Sequence, residues 1–227
     1  MKEKTTNITQ GKQLMEENFE NIDFSKRHLV DTIYKQSILE GVDTTFENVK
    51  SIIEGGKVNN MTSEDILKIV NLKHAWEFIL NKNVILSDTN FSLLCQINKM
   101  IEEGFYYSAG KIRSVPVTIG GTNWQPGLPI ESIIKEELEE IFNSKMDDID
   151  KAVELLLYTM KKQIFIDGNK RTAVIFSNHY LISKGKGIIA IPAELTAEFK
   201  DLLISYYEGK DENKIKQFIK EKCYMSI

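Results

Sequence analysis

The sequence predicts an all-α domain with one short β-hairpin. Three observations carry this reading. Apolar residues recur at helical spacing through most of the chain. Four prolines and thirteen glycines among 227 residues leave room for long uninterrupted helices. A single stretch, Ser114-Val115-Pro116-Val117-Thr118-Ile119 followed by Gly120-Gly121 and Thr122-Asn123-Trp124, has the composition of two short strands around a turn.

Taken in order, residues 1–24 read as a polar, loosely packed arm. From about Ser25, Leu29, Val30, Ile33, Ile38 and Leu39 mark a helix that Gly41 stops. Thr44-Thr45-Phe46-Glu47 has capping-box form and opens a second helix, which Gly55-Gly56 end. Thr62-Ser63-Glu64-Asp65 starts a long helix through Ile69, Trp76 and Leu80. Its Asn71 and Ala75 read as core packing around a bonded amide. Phe91, Leu94, Ile97 and Ile101 mark the next helix, and Cys95 lies within its apolar pattern. In the hairpin, Pro116 confines its strand to an edge. Pro126 and Pro129 break the chain before a helix at 131–143. Ile149, Ala152, Val153, Leu156 and Met160 form one more helical pattern, and Val174, Ile175, Tyr180, Leu181 and Ile182 another. Two helices at 193–207 and 211–222 complete the chain. Loops are short, so residues 25–222 form one domain: an N-terminal helical part at about 25–60, a core at about 61–190 and C-terminal helices at about 191–222.

Charge and composition exclude several functions. Net charge is −4, from 29 basic and 33 acidic residues, which gives no electrostatic footprint for nucleic acid. No apolar run reaches the ~18 residues of a membrane span, and the polar N-terminus has no signal-peptide core. Cys95 and Cys223 make no metal or disulfide pattern, which fits a reducing cytoplasm.

The chemistry concentrates in Gln163-Ile164-Phe165-Ile166-Asp167-Gly168-Asn169-Lys170-Arg171-Thr172-Ala173, a polar turn between two helical patterns. Gly168 permits a tight turn and close approach of a ligand to the backbone. Asn169 can cap the following helix or bind a ligand. The first N–H groups of that helix lack intrahelical partners and favour an anion. Lys170 and Arg171 add full positive charge, and a guanidinium can grip a phosphate bidentately. Asp167 is a hard oxygen ligand suited to Mg²⁺ on phosphates. The same residues could also make an ordinary helix start with a solvated charge cluster.

This stretch resembles the signature of the Fic family (Fic/Doc superfamily), H-x-F-x-[DE]-[GA]-N-[GK]-R. Phe165, Asp167, Gly168, Asn169, Lys170 and Arg171 match in order, and the Lys-Arg-Thr-Ala ending looks like the death-on-curing branch. Gln163 stands where the family has its catalytic histidine. Glu40-Gly41, after Ser37, resembles the family's inhibitory S/T-x-x-x-E-[GN] pair, although Gln36 occupies the Ser/Thr position. The arginine that pairs with such a glutamate would fall at Val174. Ala109-Gly110-Lys111-Ile112-Arg113 and the hairpin beyond resemble the family's flap.

The resemblance implies a Fic-like helical bundle with a β-hairpin flap. It implies transfer of a nucleotide-derived phosphate group, AMP from ATP first among the donors, to a hydroxyl of a target protein with Mg²⁺. Asp167 would hold the metal, and Gly168, Asn169, Lys170 and Arg171 the phosphates. Phe165 would anchor the loop, and Gln163 would take the catalytic histidine's place beside Arg171. Glu40 is the inhibitory candidate. Val115, Val117 and Ile119 of the flap would pair with the target, with Arg113 and Trp124 setting specificity. The partners implied are a target protein and a nucleotide, with a homo-oligomer left open. An amide cannot accept the hydroxyl proton near neutral pH. His179 would lie roughly 15 Å along the helix from Asn169; His28 and His74 are unplaced by sequence. The alternatives are therefore a nucleotide-binding pseudo-enzyme and a death-on-curing-like kinase.

Overall fold

The structure, a computed structural model, describes residues 19–227. Among the described residues, ten α-helices from Leu29 onward run in order: α1 (Leu29–Leu39), α2 (Phe46–Ile53), α3 (Ser63–Ile79), α4 (Lys82–Ile85), α5 (Phe91–Ile101), α6 (Glu131–Asn143), α7 (Asp148–Lys162), α8 (Asn169–Ser183), α9 (Thr196–Tyr207) and α10 (Glu212–Phe218). Residues 19–27 are also helical, with a break at His28 before α1. Most of the arm expected at 1–24 lies outside the described residues. Its last part does not behave as an arm: Ile22 is buried, and the Asn21 amide donates to Gly187 O at 3.3 Å.

The fold is built around α8. All of its residues except Lys170 and Ser183 are buried, so it is apolar on no single face and packs on every side. It lies against α7, α5, α3 and a short strand β1 (Ile188–Ile189). Its buried polar side chains other than Arg171 are each hydrogen-bonded. Asn178 donates to Ile189 O and accepts from Ile189 N, both at 2.8 Å, which fixes β1. β1 pairs antiparallel with β2 (Tyr224–Met225), and Ile188 faces Met225. Asn71 donates to Ile101 O at 3.0 Å and Glu103 O at 2.8 Å, so α3 holds the carbonyls at the end of α5.

Caps fix the helix starts. Thr62 accepts from Asp65 N, as the sequence implies, and Asp147 accepts from Asp150 N. The second helix is capped one residue later than expected: Thr45, not Thr44, accepts from Asn48 N. Cys95 is only half-buried; burial and the nearby Glu131 push its thiol up to about 11.

The hairpin is the main departure. Residues 102–130 contain no helix or strand, so this connection is long, and the only paired strands among the described residues are β1 and β2. Val115, Val117 and Ile119 lie on a limb without regular secondary structure that turns at Gly120-Gly121, and no ladder joins it to the returning limb. The returning limb is drawn toward α9: Thr122 donates to Glu208 at 2.8 Å, and Trp124 stacks on Tyr207 at 5.4 Å. Arg113 takes the carbonyls of Val115 and Gly127.

His179 is fully buried in α8, between the Thr89 hydroxyl at 2.8 Å and Val84 O at 2.9 Å. Burial lowers its pKa from the ordinary 6.5, and the bond to Val84 O opposes this only in part. The unfolded chain therefore binds the proton first as pH falls. The stability contributed by neutral His179 is complete above about pH 6.5 and declines below it, by at most about 1.4 kcal/mol per pH unit. Denaturant midpoints from pH 7.5 to 5 are expected to fall less steeply in His179→Gln than in wild type. Equal slopes would contradict this.

Candidate active site

The signature residues form a loop joining α7 to α8. α7 ends at Gln163, whose backbone is left-handed (φ 48°). Gly168 is left-handed too (φ 72°) and caps α8, whose first N–H groups have no side-chain cap. The loop is tied internally. Asn169 Oδ1 accepts from Phe165 N at 2.9 Å, and its Nδ2 donates to Phe165 O at 2.9 Å and Gln163 Oε1 at 3.2 Å. The Asn169 side chain thus closes the loop, and Asn169 also lines the cleft beside it. Phe165 is buried beneath. From α5, Asn98 donates to Asp167 O at 3.0 Å and Thr172 Oγ1 at 3.1 Å.

Gly168 leaves no room for a side chain. A Cβ there would run into the Glu102 carboxylate and come within 3.2 Å of Asn98 Nδ2, in a backbone conformation that costs L residues. Gly168→Ala is expected to lower stability by about 2–4 kcal/mol. A denaturant-unfolding loss below about 1 kcal/mol would contradict the placement.

Beside the loop is a cleft of about 380 Å³. Gln163, Asp167 and Lys170 line its floor, Glu40 one end, the 117–120 turn one wall, and Lys200, Leu203, Ile204 and Tyr207 of α9 the other. Asp167 is half exposed, with its Oδ1 accepting from Gly168 N at 2.7 Å. Gln163 is committed at both ends of its amide: Nε2 donates to Met160 O at 2.6 Å, and Oε1 accepts from Asn169. No histidine replaces it: His179 is walled off in α8, His28 bonds Phe24 O at 2.9 Å, and His74 is exposed on α3 without lining the cleft.

Charge is packed on the inner side of the loop. Arg171, 3% exposed, meets Glu102 at 2.8 Å, Glu40 at 3.5 Å and Asp167 at 3.7 Å. Lys170 also meets Glu40, at 3.5 Å. Glu40 therefore has two cations although Val174 is buried and apolar. Burial raises the Glu102 carboxyl to about 7; Arg171 opposes the rise, and Asp167 and Glu40 reinforce it.

Residues 88–181 match the family model of the Fic/DOC family. The Fic/DOC-family match covers that segment, less than half of the 227 residues. The fold of the whole described chain is similar to three solved structures. A Fic domain containing signaling protein from Bacteroides thetaiotaomicron is 19% identical, with a TM-score of 0.72, over 92% of this chain and 89% of that one. Fic-1 from C. elegans is 16% identical, with a TM-score of 0.70, over 96% and 70%. A Fic family protein from Desulfovibrio desulfuricans is 14% identical, with a TM-score of 0.68, over 92% and 70%. No curated protein matches the chain.

Sequence reasoning missed Glu102, which reads as an ordinary helix-end residue, and Tyr207, which lines the cleft with Gln163 only because of how α9 docks. Arg113, expected to contact a target, is buried. It donates to Gln163 O at 2.6 Å, Gly127 O at 2.6 Å and Val115 O at 2.8 Å. It clamps the flap to the signature loop. Trp124 likewise spends one face on Tyr207.

Proposed function

We propose that this protein transfers a nucleotide-derived phosphate group, AMP from ATP as the first candidate, to a hydroxyl of a target protein. The observation that carries the reading is the cleft itself. It sets the uncapped N-terminus of α8, Lys170 and Asp167 at one side of a space walled by Ile119, Leu203 and Tyr207. Backbone N–H groups and Lys170 suit phosphates. The apolar and aromatic wall suits a base.

Asp167 fits a Mg²⁺ ion that is shared with phosphates. It is a single, half-exposed carboxylate, and no group of three metal-ligating side chains occurs among the described residues, so phosphates and water would complete the shell. When bound, the ion would neutralise charge on the phosphates. Asn169 holds the loop that presents the backbone donors. Glu40, placed against Lys170 and Arg171, competes with a phosphate for the same cations. The limb at Val115, Val117 and Ile119, whose main chain is in no ladder, offers main-chain groups to an extended target segment.

The engaged amide of Gln163 favours a second reading, a protein that binds nucleotide without efficient transfer. The deciding assay incubates the protein with Mg²⁺, cell lysate and ATP labelled on the α- or the γ-phosphate. Transfer of α-label that Asn169→Ala abolishes is the expected result. Transfer of γ-label alone would move the chain to phosphoryl transfer. Label appearing only in Gln163→His would favour the binding reading.

A further inference from the structure

Arg171 is held by two carboxylates of different kinds. Glu40 lines the cleft, sits at the end of α1 just before Gly41, and approaches Arg171 only to 3.5 Å. Glu102 does not line the cleft. It is 2% exposed, lies against Gly168 behind the loop, and meets Arg171 at 2.8 Å. Its backbone is fixed on both sides, by Asn71 bonding Ile101 O and Glu103 O, and by Asn98 bonding the signature loop.

The position is costly for a carboxylate. It is buried, it stands at the C-terminal end of α5 where the helix dipole disfavours negative charge, and neither oxygen accepts a hydrogen bond among the described residues. Arg171 Nε and Nη1 are also buried without hydrogen-bond partners. The pair is thus an electrostatic contact with little else to recommend it, and its partner is the signature arginine.

We infer that Glu102 is the fixed carboxyl partner of Arg171, a positioning residue that keeps the guanidinium behind the loop and limits how strongly the cleft attracts phosphate. Glu40 is the carboxylate that an entering phosphate displaces; Glu102 stays. This inference rests on the phosphate-binding reading above. It makes the resting affinity of the cleft a balance: the signature arginine behind the loop is already partly spent on an internal carboxyl group that no ligand can remove.

The test removes the charge without changing its shape. Glu40→Gln and Glu40→Gln/Glu102→Gln are titrated with Mg–ATP and with magnesium tripolyphosphate, which presents phosphates without a base. The double variant is expected to bind both roughly ten- to hundredfold more tightly than Glu40→Gln. With Arg171→Gln added to each, Glu102→Gln should change nothing, whereas a merely structural Glu102 would act regardless of Arg171. Glu102→Asp, which draws the carboxylate back from Arg171, should shift affinity in the same direction by less, and it carries the test if the Gln variant does not fold. Equal or weaker binding in the double variant and in Glu102→Asp would overturn the inference while leaving nucleotide binding intact. Binding of neither ligand by Glu40→Gln would overturn both. Binding of tripolyphosphate without ATP would reject the nucleotide donor yet still read the Glu102 effect.

Discussion

Gln163→His is expected to raise group transfer by about 10²–10³-fold. Position 163 ends α7 in a left-handed conformation that histidine tolerates better than most residues. Its side chain lines the cleft between Asn169 and Tyr207. An imidazole there could accept the acceptor hydroxyl's proton, which an amide bonded to Met160 O and Asn169 cannot. The gain should appear in kcat rather than in donor affinity, because the substitution leaves Lys170, Asp167 and the backbone donors in place. Activity of the variant should also acquire a pH dependence centred near an ordinary imidazole, about 6.5, that wild type lacks. A folded, nucleotide-binding variant with no gain in rate would mean that the acceptor hydroxyl does not lie at Gln163.

Arg113→Ala is expected to cost about 3 kcal/mol of stability and to abolish nucleotide binding. The guanidinium satisfies the carbonyls of Gln163, Val115 and Gly127 in a buried position, with Pro126 O at 3.5 Å. Each orphaned buried carbonyl costs about 1–3 kcal/mol. Relief of the arginine's own desolvation, which pulls its pKa down, offsets part of the sum. The clamp is the link between flap and signature loop, together with the bond from Arg113 N to Ile164 O at 3.0 Å, so losing it frees one wall of the cleft. Arg113→Lys should recover little, since an ammonium cannot span three carbonyls set around a planar fork. Denaturant unfolding that shows a loss below about 1 kcal/mol would contradict the clamp.

The contrast between these two residues shows how the sequence could be read. Gln163 was legible because the signature is contiguous: fixed spacing within one turn places Asp167, Gly168 and Lys170 on one loop without knowledge of the rest. The helices were legible for the same reason, since Thr62 and the stops at Gly41 and Gly55 are local signals. Arg113 was not, because its carbonyl partners are separated from it by up to 50 residues and its flanking sequence looks like an exposed strand. β1 and β2, each of two residues and joined across most of the C-terminal region, carry no pattern that periodicity could detect. Glu102 and Tyr207 entered the site only through the docking of α5 and α9 on α8. Local chemistry announced the loop; the walls and the carboxyl partner behind it are products of tertiary packing.

The central claim is that the cleft on the signature loop takes the phosphates of a nucleotide. Calorimetric titration of Mg–ATP into the wild-type protein and into Lys170→Glu tests it most directly. Lys170 is partly exposed in the cleft and, among the described residues, pairs only with Glu40, so its reversal spares the buried core. Saturable binding of one nucleotide per chain, lost in Lys170→Glu and restored in no part by raising salt, is the result this account expects. Equal binding by the two proteins, or none by wild type and by Glu40→Gln, would contradict it.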